Sequence, residues 1–354
     1  MRPSPGPGRD EARLEMTIGG GGATRALPAG VGSVERPFVF LCAALGMTSV
    51  ASLLAWIFGL GRFSTWFWAV SVPGMAALVV IGLVAGRIDG WEQVRSVLVL
   101  GTIAGLIGTA GYDLFRVPFV FGAGRLLLSP IESYGVLALD ATTSSGWTDV
   151  TGWAYHFSNG IGFGILYAAL ARGRSRWWGV VWAMVLETGT ILTPFGSAYN
   201  LWWKWDVIAI AYAAHVPFGL AIGIVMERSD KWLGYLKEVS ARTTMYALLL
   251  VAAGLLIWLR PLGDRPAEDL GRRVAPGPSA VVIDDRFAPV WLRVAPGGCV
   301  TLLNTDDASY GIEGVRVEPG TAGAVCFGEE GVHRVHTSGE PFDGGFVIVD
   351  GALE

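Results

Sequence analysis

Residues 152–171 read GWAYHFSNGIGFGILYAALA. The run is long and apolar enough to cross a hydrocarbon core of about 30 Å as a helix rising about 1.5 Å per residue. At helical spacing His156, Gly160, Gly164 and Tyr167 fall on one stripe, so one face is small and polar while the rest suits lipid. An ionisable side chain at that depth costs roughly 2.5–3.5 kcal/mol or more unless it meets a partner or a cavity. The stretch therefore predicts a helix bundle built around a buried polar cluster.

The same texture extends on both sides. Seven spans are expected, near 37–60, 66–86, 95–116, 152–172, 176–196, 205–227 and 243–260. Trp66, Trp68, Trp177, Trp178, Trp202, Trp203 and Trp205 sit near their ends, as an interfacial aromatic belt requires. Of the 354 residues 52% are hydrophobic and 16% charged, against about 25% charged in a soluble domain. The net charge of -4 and the absence of a basic tract argue against a nucleic-acid partner. The glycine runs lie in apolar helices or in the first residues, without the strand–turn–helix setting that nucleotide binding needs.

Lys and Arg set the orientation. Arg25 and Arg36, Arg87 and Arg95, Arg172, Arg174 and Arg176, then Arg228, Lys231, Lys237 and Arg242 all fall on one side of the expected topology. The other connections hold only Arg62, Arg125 and Lys204. This predicts an inner or plasma membrane protein with a cytoplasmic amino terminus and a periplasmic or extracellular carboxyl domain. Residues 1–36 lack core-forming side chains and read as a disordered tail rather than a signal peptide. The connection 117–151, with its apolar patch at 126–128, reads either as re-entrant or as an ordered cap. Residues 261–278 are charged and rich in Pro and Gly, as a linker is, and from 279 to 354 short alternating apolar runs predict a small all-β domain.

Four expected spans bring polar groups to similar depth in the outer half of the bundle. Thr109, Asp113 and Arg116 share a face of the third; His156 and Asn159 lie on the fourth; Glu187 and Thr190 lie on the fifth; His215 lies on the sixth. Asp113 and Arg116 also suit a plain ion pair. Two imidazoles with one or two carboxylates suit a single transition metal ion, with His156, Glu187, His215 and Asp113 as ligands and Asn159, Arg116 and Thr190 in support. The same set suits a proton relay, a bound headgroup or solute, or a satisfied network that fixes helix register. A bis-histidine haem fits poorly, because His156 and His215 differ in depth by about 8 Å.

In the last domain Phe287, Ala288 and Pro289, then Val294, Gly297, Gly298 and the run 300–306 (VTLLNTD) stand in the order of the opening strands of a cupredoxin. Glu318, Pro319, Gly320, Phe327, Gly331, His333 and the run 345–349 (GFVIV) follow as its closing strands do. The segment thus resembles the cupredoxin family, which implies a Greek-key sandwich. The resemblance places Tyr310 at the first histidine position and Thr337, Glu340 and Asp343 where Cys, His and Met stand in the family. None is a suitable ligand for blue copper, so no type 1 copper is expected. His333 and His336, with Glu340, are either ligands for a harder metal or surface histidines. The family's strand order also implies that Cys299 faces Cys326, as a disulfide in an exported location or as two buried thiols.

The chain is therefore expected to be a polytopic α-helical membrane bundle followed by a cupredoxin-like domain. Its role is metal handling or redox work in the bundle. The alternative is a non-catalytic subunit or scaffold whose β domain docks an exported or membrane protein partner.

Overall fold

The computed structural model describes residues 35–123, 127–199, 201–202, 204–238, 278–283, 286–336 and 344–351. The tail before residue 35, the expected span at 243–260, the linker up to residue 277, and Thr337, Glu340 and Asp343 lie outside the described residues.

The helical part begins with α1 (Glu35–Ile57). A second rod is made of α2 (Phe63–Trp66), a π-helical turn at Phe67–Ser71, and α3 (Val72–Ala85). Then come α4 (Glu92–Ala123), α5 (Ser129–Ala138), α6 (Gly146–Ala171), α7 (Arg176–Leu192), α8 (Phe195–Ala198), α9 (Trp205–Glu227) and α10 (Ser229–Glu238). Four stretches, Glu35–Ile57, Phe63–Ala85, Glu92–Val120 and Trp205–Glu227, are long and apolar enough to cross a membrane, which marks a multi-pass membrane protein. α6 and α7 stand where the fourth and fifth spans were expected; α6 carries Asp149, His156 and Asn159, and α7 is 17 residues long.

Two boundaries differ most from expectation. α6 starts six residues before position 152, because Ser145 and Thr148 form a capping box: Ser145 Oγ accepts from Thr148 N–H at 3.3 Å and Thr148 Oγ1 accepts from Ser145 N–H at 2.7 Å. α4 runs on through Pro118 to Ala123. The 117–151 connection is largely ordered: α5 lies across the first turns of α6, where the Gly152 backbone meets Ile131.

Glycine sets how closely α4 and α6 approach. A Cβ on Gly105 would stand 2.3 Å from the Gly160 carbonyl oxygen, and one on Gly164 would stand 2.3 Å from that of Gly101. Two backbones in direct contact place the side chains that follow, Thr109 and Asp113 on α4 and His156 on α6, across a narrow gap. α9 packs on the other side of α4 and also against α7. Gln93 N–H donates to Glu35 Oε1 at 3.2 Å, so α1 and α4 start at the same end of the bundle.

Among the described residues the β-rich part holds nine strands: β1 (Ser279–Ile283), β2 (Arg286–Ala288), β3 (Trp291–Val294), β4 (Cys299–Asn304), β5 (Tyr310–Ile312), β6 (Val315–Val317), β7 (Ala322–Cys326), β8 (Gly331–His336) and β9 (Gly344–Val349). They form sheets in the orders β2-β1-β4-β7 and β3-β9-β8, with β5-β6 as a separate pair. Val282, Phe287, Val300 and Leu302 from the first sheet meet Leu292, Val335 and Val347 from the second in one apolar core. Cys299 and Cys326 are cross-strand neighbours of β4 and β7 and are joined by a disulfide that spans 27 positions. Reduction should lower the stability of this part by about 3–4 kcal/mol on loop-entropy grounds; thermal scans with and without reductant measure it.

The β part is docked on the helices by more than apolar contact. Trp291, Val332, Phe346 and Ile348 share a buried cluster with Leu53, Phe63, Tyr134 and Tyr155. Residues 142–144 run alongside β3: Arg293 N–H donates to Thr142 O at 2.8 Å and Ser144 N–H to Trp291 O at 2.9 Å. The Arg293 guanidinium, 1% exposed, donates to Asp140 Oδ1 and Asp350 Oδ2, each at 2.6 Å. Trp291 stacks on Phe346 with centroids 4.4 Å apart, and its indole N–H donates to Glu132 at 3.1 Å.

Candidate functional site

Beneath that docking surface lies a chamber of about 560 Å³. α4, α6, α7 and α9 wall it, Tyr134 and Tyr199 narrow it, and Trp291, Val332, Arg334 and Phe346 of the β part roof it. Its size falls within the usual range for small-molecule sites, about 300–1,000 Å³.

Two imidazole–carboxylate pairs face this chamber. On one side Asp113 of α4 accepts from His156 of α6 through both carboxylate oxygens, at 3.1 and 3.2 Å from Nε2. Arg116 also donates to Asp113, lies 4.1 Å from the centre of the Tyr112 ring and donates to Leu127 O at 2.7 Å. A carboxylate already paired with a guanidinium only accepts, so His156 carries its proton on Nε2 and leaves Nδ1 basic.

On the other side Glu187 of α7 stands 3.4 Å from Nδ1 of His215 on α9. That nitrogen donates to Ala211 O at 2.9 Å. A carbonyl only accepts, so Nδ1 holds the proton and Nε2 of the neutral ring is free to accept. Tyr112 lies between the pairs, its ring centre 4.7 Å from that of His215 and 6.2 Å from that of His156.

The supporting residues are also at the chamber. Thr109, Arg116 and Asn159 line it, and Thr109 Oγ1, Arg116 Nε and Asn159 Oδ1 are buried with no hydrogen-bond partner among the described residues. Each such buried group costs roughly 1–3 kcal/mol, so three at one cavity point to a polar occupant. Thr190 donates to Leu186 O at 3.0 Å and lines the same wall. At the end of the chamber nearest the β part stand Lys204, Asp206 and Arg334. Burial, then Arg334 nearby, push the Lys204 ammonium below the usual lysine range, and Asp206 opposes them.

Three of the four metal-ligand candidates, His156, Glu187 and His215, thus line one cavity, and Asp113 is tied to it through His156. Among the described residues no three His, Cys, Asp or Glu side chains group closely enough to hold a metal ion. In the β part Tyr310 is on β5 with its hydroxyl donating to Asp306 at 2.5 Å, and His333 Nε2 donates to Glu329 O at 2.7 Å. Sequence reasoning missed Tyr112, whose position beside Asp113 was the available signal. It also missed the roof, because Trp291 and Arg334 approach the chamber only through docking.

The chain matches no family model, and no curated protein or solved structure matches it.

Proposed function

We propose that this membrane protein binds a small polar or amphiphilic molecule in the chamber, with His156–Asp113 and His215–Glu187 as proton-carrying pairs and the β part as the lid. One observation carries the reading: Arg116, His156, Glu187 and His215 come from four different helices and line the same cavity. Each imidazole has one nitrogen engaged as a donor and the other left to accept, the arrangement a ring needs to take up or pass a proton. The three partnerless polar atoms add the hydrogen-bonding capacity that a ligand would use.

The β part is proposed to be cupredoxin-like and without type 1 copper. That centre needs a thiolate, and the chain's three cysteines leave none there: Cys299 and Cys326 are bonded to each other and Cys42 is buried in α1. Seven crossings, with the β part periplasmic or extracellular, are likewise a proposal. The Arg176–Glu227 ion pair, at 2.7 Å, puts the end of α9 beside the start of α7, away from the β part. The chain must return the length of the bundle before β1, which supports a further crossing.

Native mass spectrometry of the full chain, with metal analysis on the same preparation, tests the reading. A stoichiometric organic ligand whose affinity falls about tenfold in Glu187→Gln, the loss expected for one charge-assisted hydrogen bond, supports it. A stoichiometric transition metal lost in His215→Ala overturns it in favour of metal handling. Neither ligand nor metal, with a stably co-purifying protein, overturns it in favour of a docking subunit.

A further inference from the structure

We infer that the opposite end of the bundle carries a binding site for one anionic phospholipid, in the groove between α6 and α7. The groove, about 450 Å³, is lined by Leu170, Val181 and Val185 along its length and by Tyr167, Trp182 and Arg174 around its polar part. Leu170, Trp178, Val181 and Val185 are each at least half exposed, so its apolar flank is open to the surroundings. In a multi-pass membrane protein that surface meets acyl chains.

Two donors make the groove more than an apolar slot. Tyr167 is 3% exposed, and its hydroxyl and the Trp182 indole N–H are both buried without a hydrogen-bond partner among the described residues. Their rings lie 6.1 Å apart. A buried donor left without a partner costs roughly 1–3 kcal/mol, so the groove favours an occupant that brings an acceptor.

Depth matches the acceptor a lipid supplies. Tyr167 is four residues before the end of α6 and Trp182 six residues after the start of α7. At about 1.5 Å per residue they stand roughly 6–9 Å inside the helix ends, the level of glycerol ester carbonyls below a headgroup. Arg174 sits beyond them, in the turn between the helices, at the level of the phosphate. Its neighbours are otherwise engaged: Arg172 pairs with Asp230 at 3.8 Å and Arg176 with Glu227 at 2.7 Å. Among the described residues Arg174 has no carboxylate partner, which leaves its charge for the groove. Basic pockets between membrane helices recognise anionic headgroups in this way.

The test uses the full chain in detergent, titrated with phosphatidylglycerol or phosphatidylcholine of the same acyl composition and read by native mass spectrometry. One phosphatidylglycerol should be retained about tenfold more tightly than phosphatidylcholine, the difference one charge-assisted contact makes. Arg174→Gln should abolish that preference. Tyr167→Phe, which keeps the ring and removes only the hydroxyl, and Trp182→Phe, which keeps an aromatic side chain without the N–H, should weaken both lipids alike. Millimolar inorganic phosphate should not displace the lipid; displacement would assign the site to free phosphate and overturn the proposal. Equal retention of the two lipids by the native chain, or a preference unchanged in Arg174→Gln, would also overturn it. Arg174 is exposed in a turn, so its variant folds even where a ring variant does not. This site is remote from the chamber, and its fate does not bear on the solute reading.

Discussion

Arg293→Met should release the β part from the helices. The guanidinium is buried between Asp140 and Asp350, and Asp350 is 6% exposed, so the substitution removes a cation from a buried carboxylate. Breaking a buried pair from one side costs about 3–5 kcal/mol. The lower half of that range is expected, because Asp140 is partly exposed and keeps Arg62 at 3.4 Å. Hydrogen exchange should rise in β3, in α5 and along 142–144, while the α4–α6 crossing stays protected. Uniform protection across the docking surface would show that the apolar cluster alone holds the lid.

The second large effect belongs to the glycine crossing. Gly164→Ala should separate α4 from α6, since its methyl group would meet the Gly101 carbonyl and the Gly105 nitrogen, both backbone atoms that cannot rotate away. Overpacking of this kind costs typically about 1–3 kcal/mol. The loss should appear as a lower melting temperature in detergent. Gly105→Ala acts on the same contact, so the double variant should lose less than the sum of the two. Widening this crossing also pulls His156 from Asp113, which ligand affinity in the chamber would report.

Much of the bundle was legible because lipid imposes simple rules. Long apolar runs, glycine at helical spacing and costly buried charges announce themselves, and so Asp113, His156, Glu187 and His215 were readable as inward-facing. Their grouping was not. Whether two pairs or one cluster forms depends on how α4 and α9 rotate about their axes, and a stripe of residues leaves that rotation open. The start of α6 was missed for a related reason: Gly146 to Thr151 is polar, and only the Ser145–Thr148 reciprocity makes it helical. The roof was illegible because β3 docks partly through backbone pairing with 142–144, which carries no side-chain signature, and its side-chain partners Glu132 and Asp140 lie 159 and 153 residues away in sequence.

For the ligand site proposed above, that backbone pairing bears on where an opening could form. Ser144 is bonded to β3 and Ser145, its immediate neighbour, caps the helix that carries His156. Two parts joined through adjacent residues have little slack at that corner. The far rim is built differently: Lys204, Asp206 and Arg334 meet there as charged ends, and Lys204 and Asp206 are exposed. A molecule moving in or out would therefore leave the Ser144 corner shut and part the charged rim, the way a purse opens away from its seam.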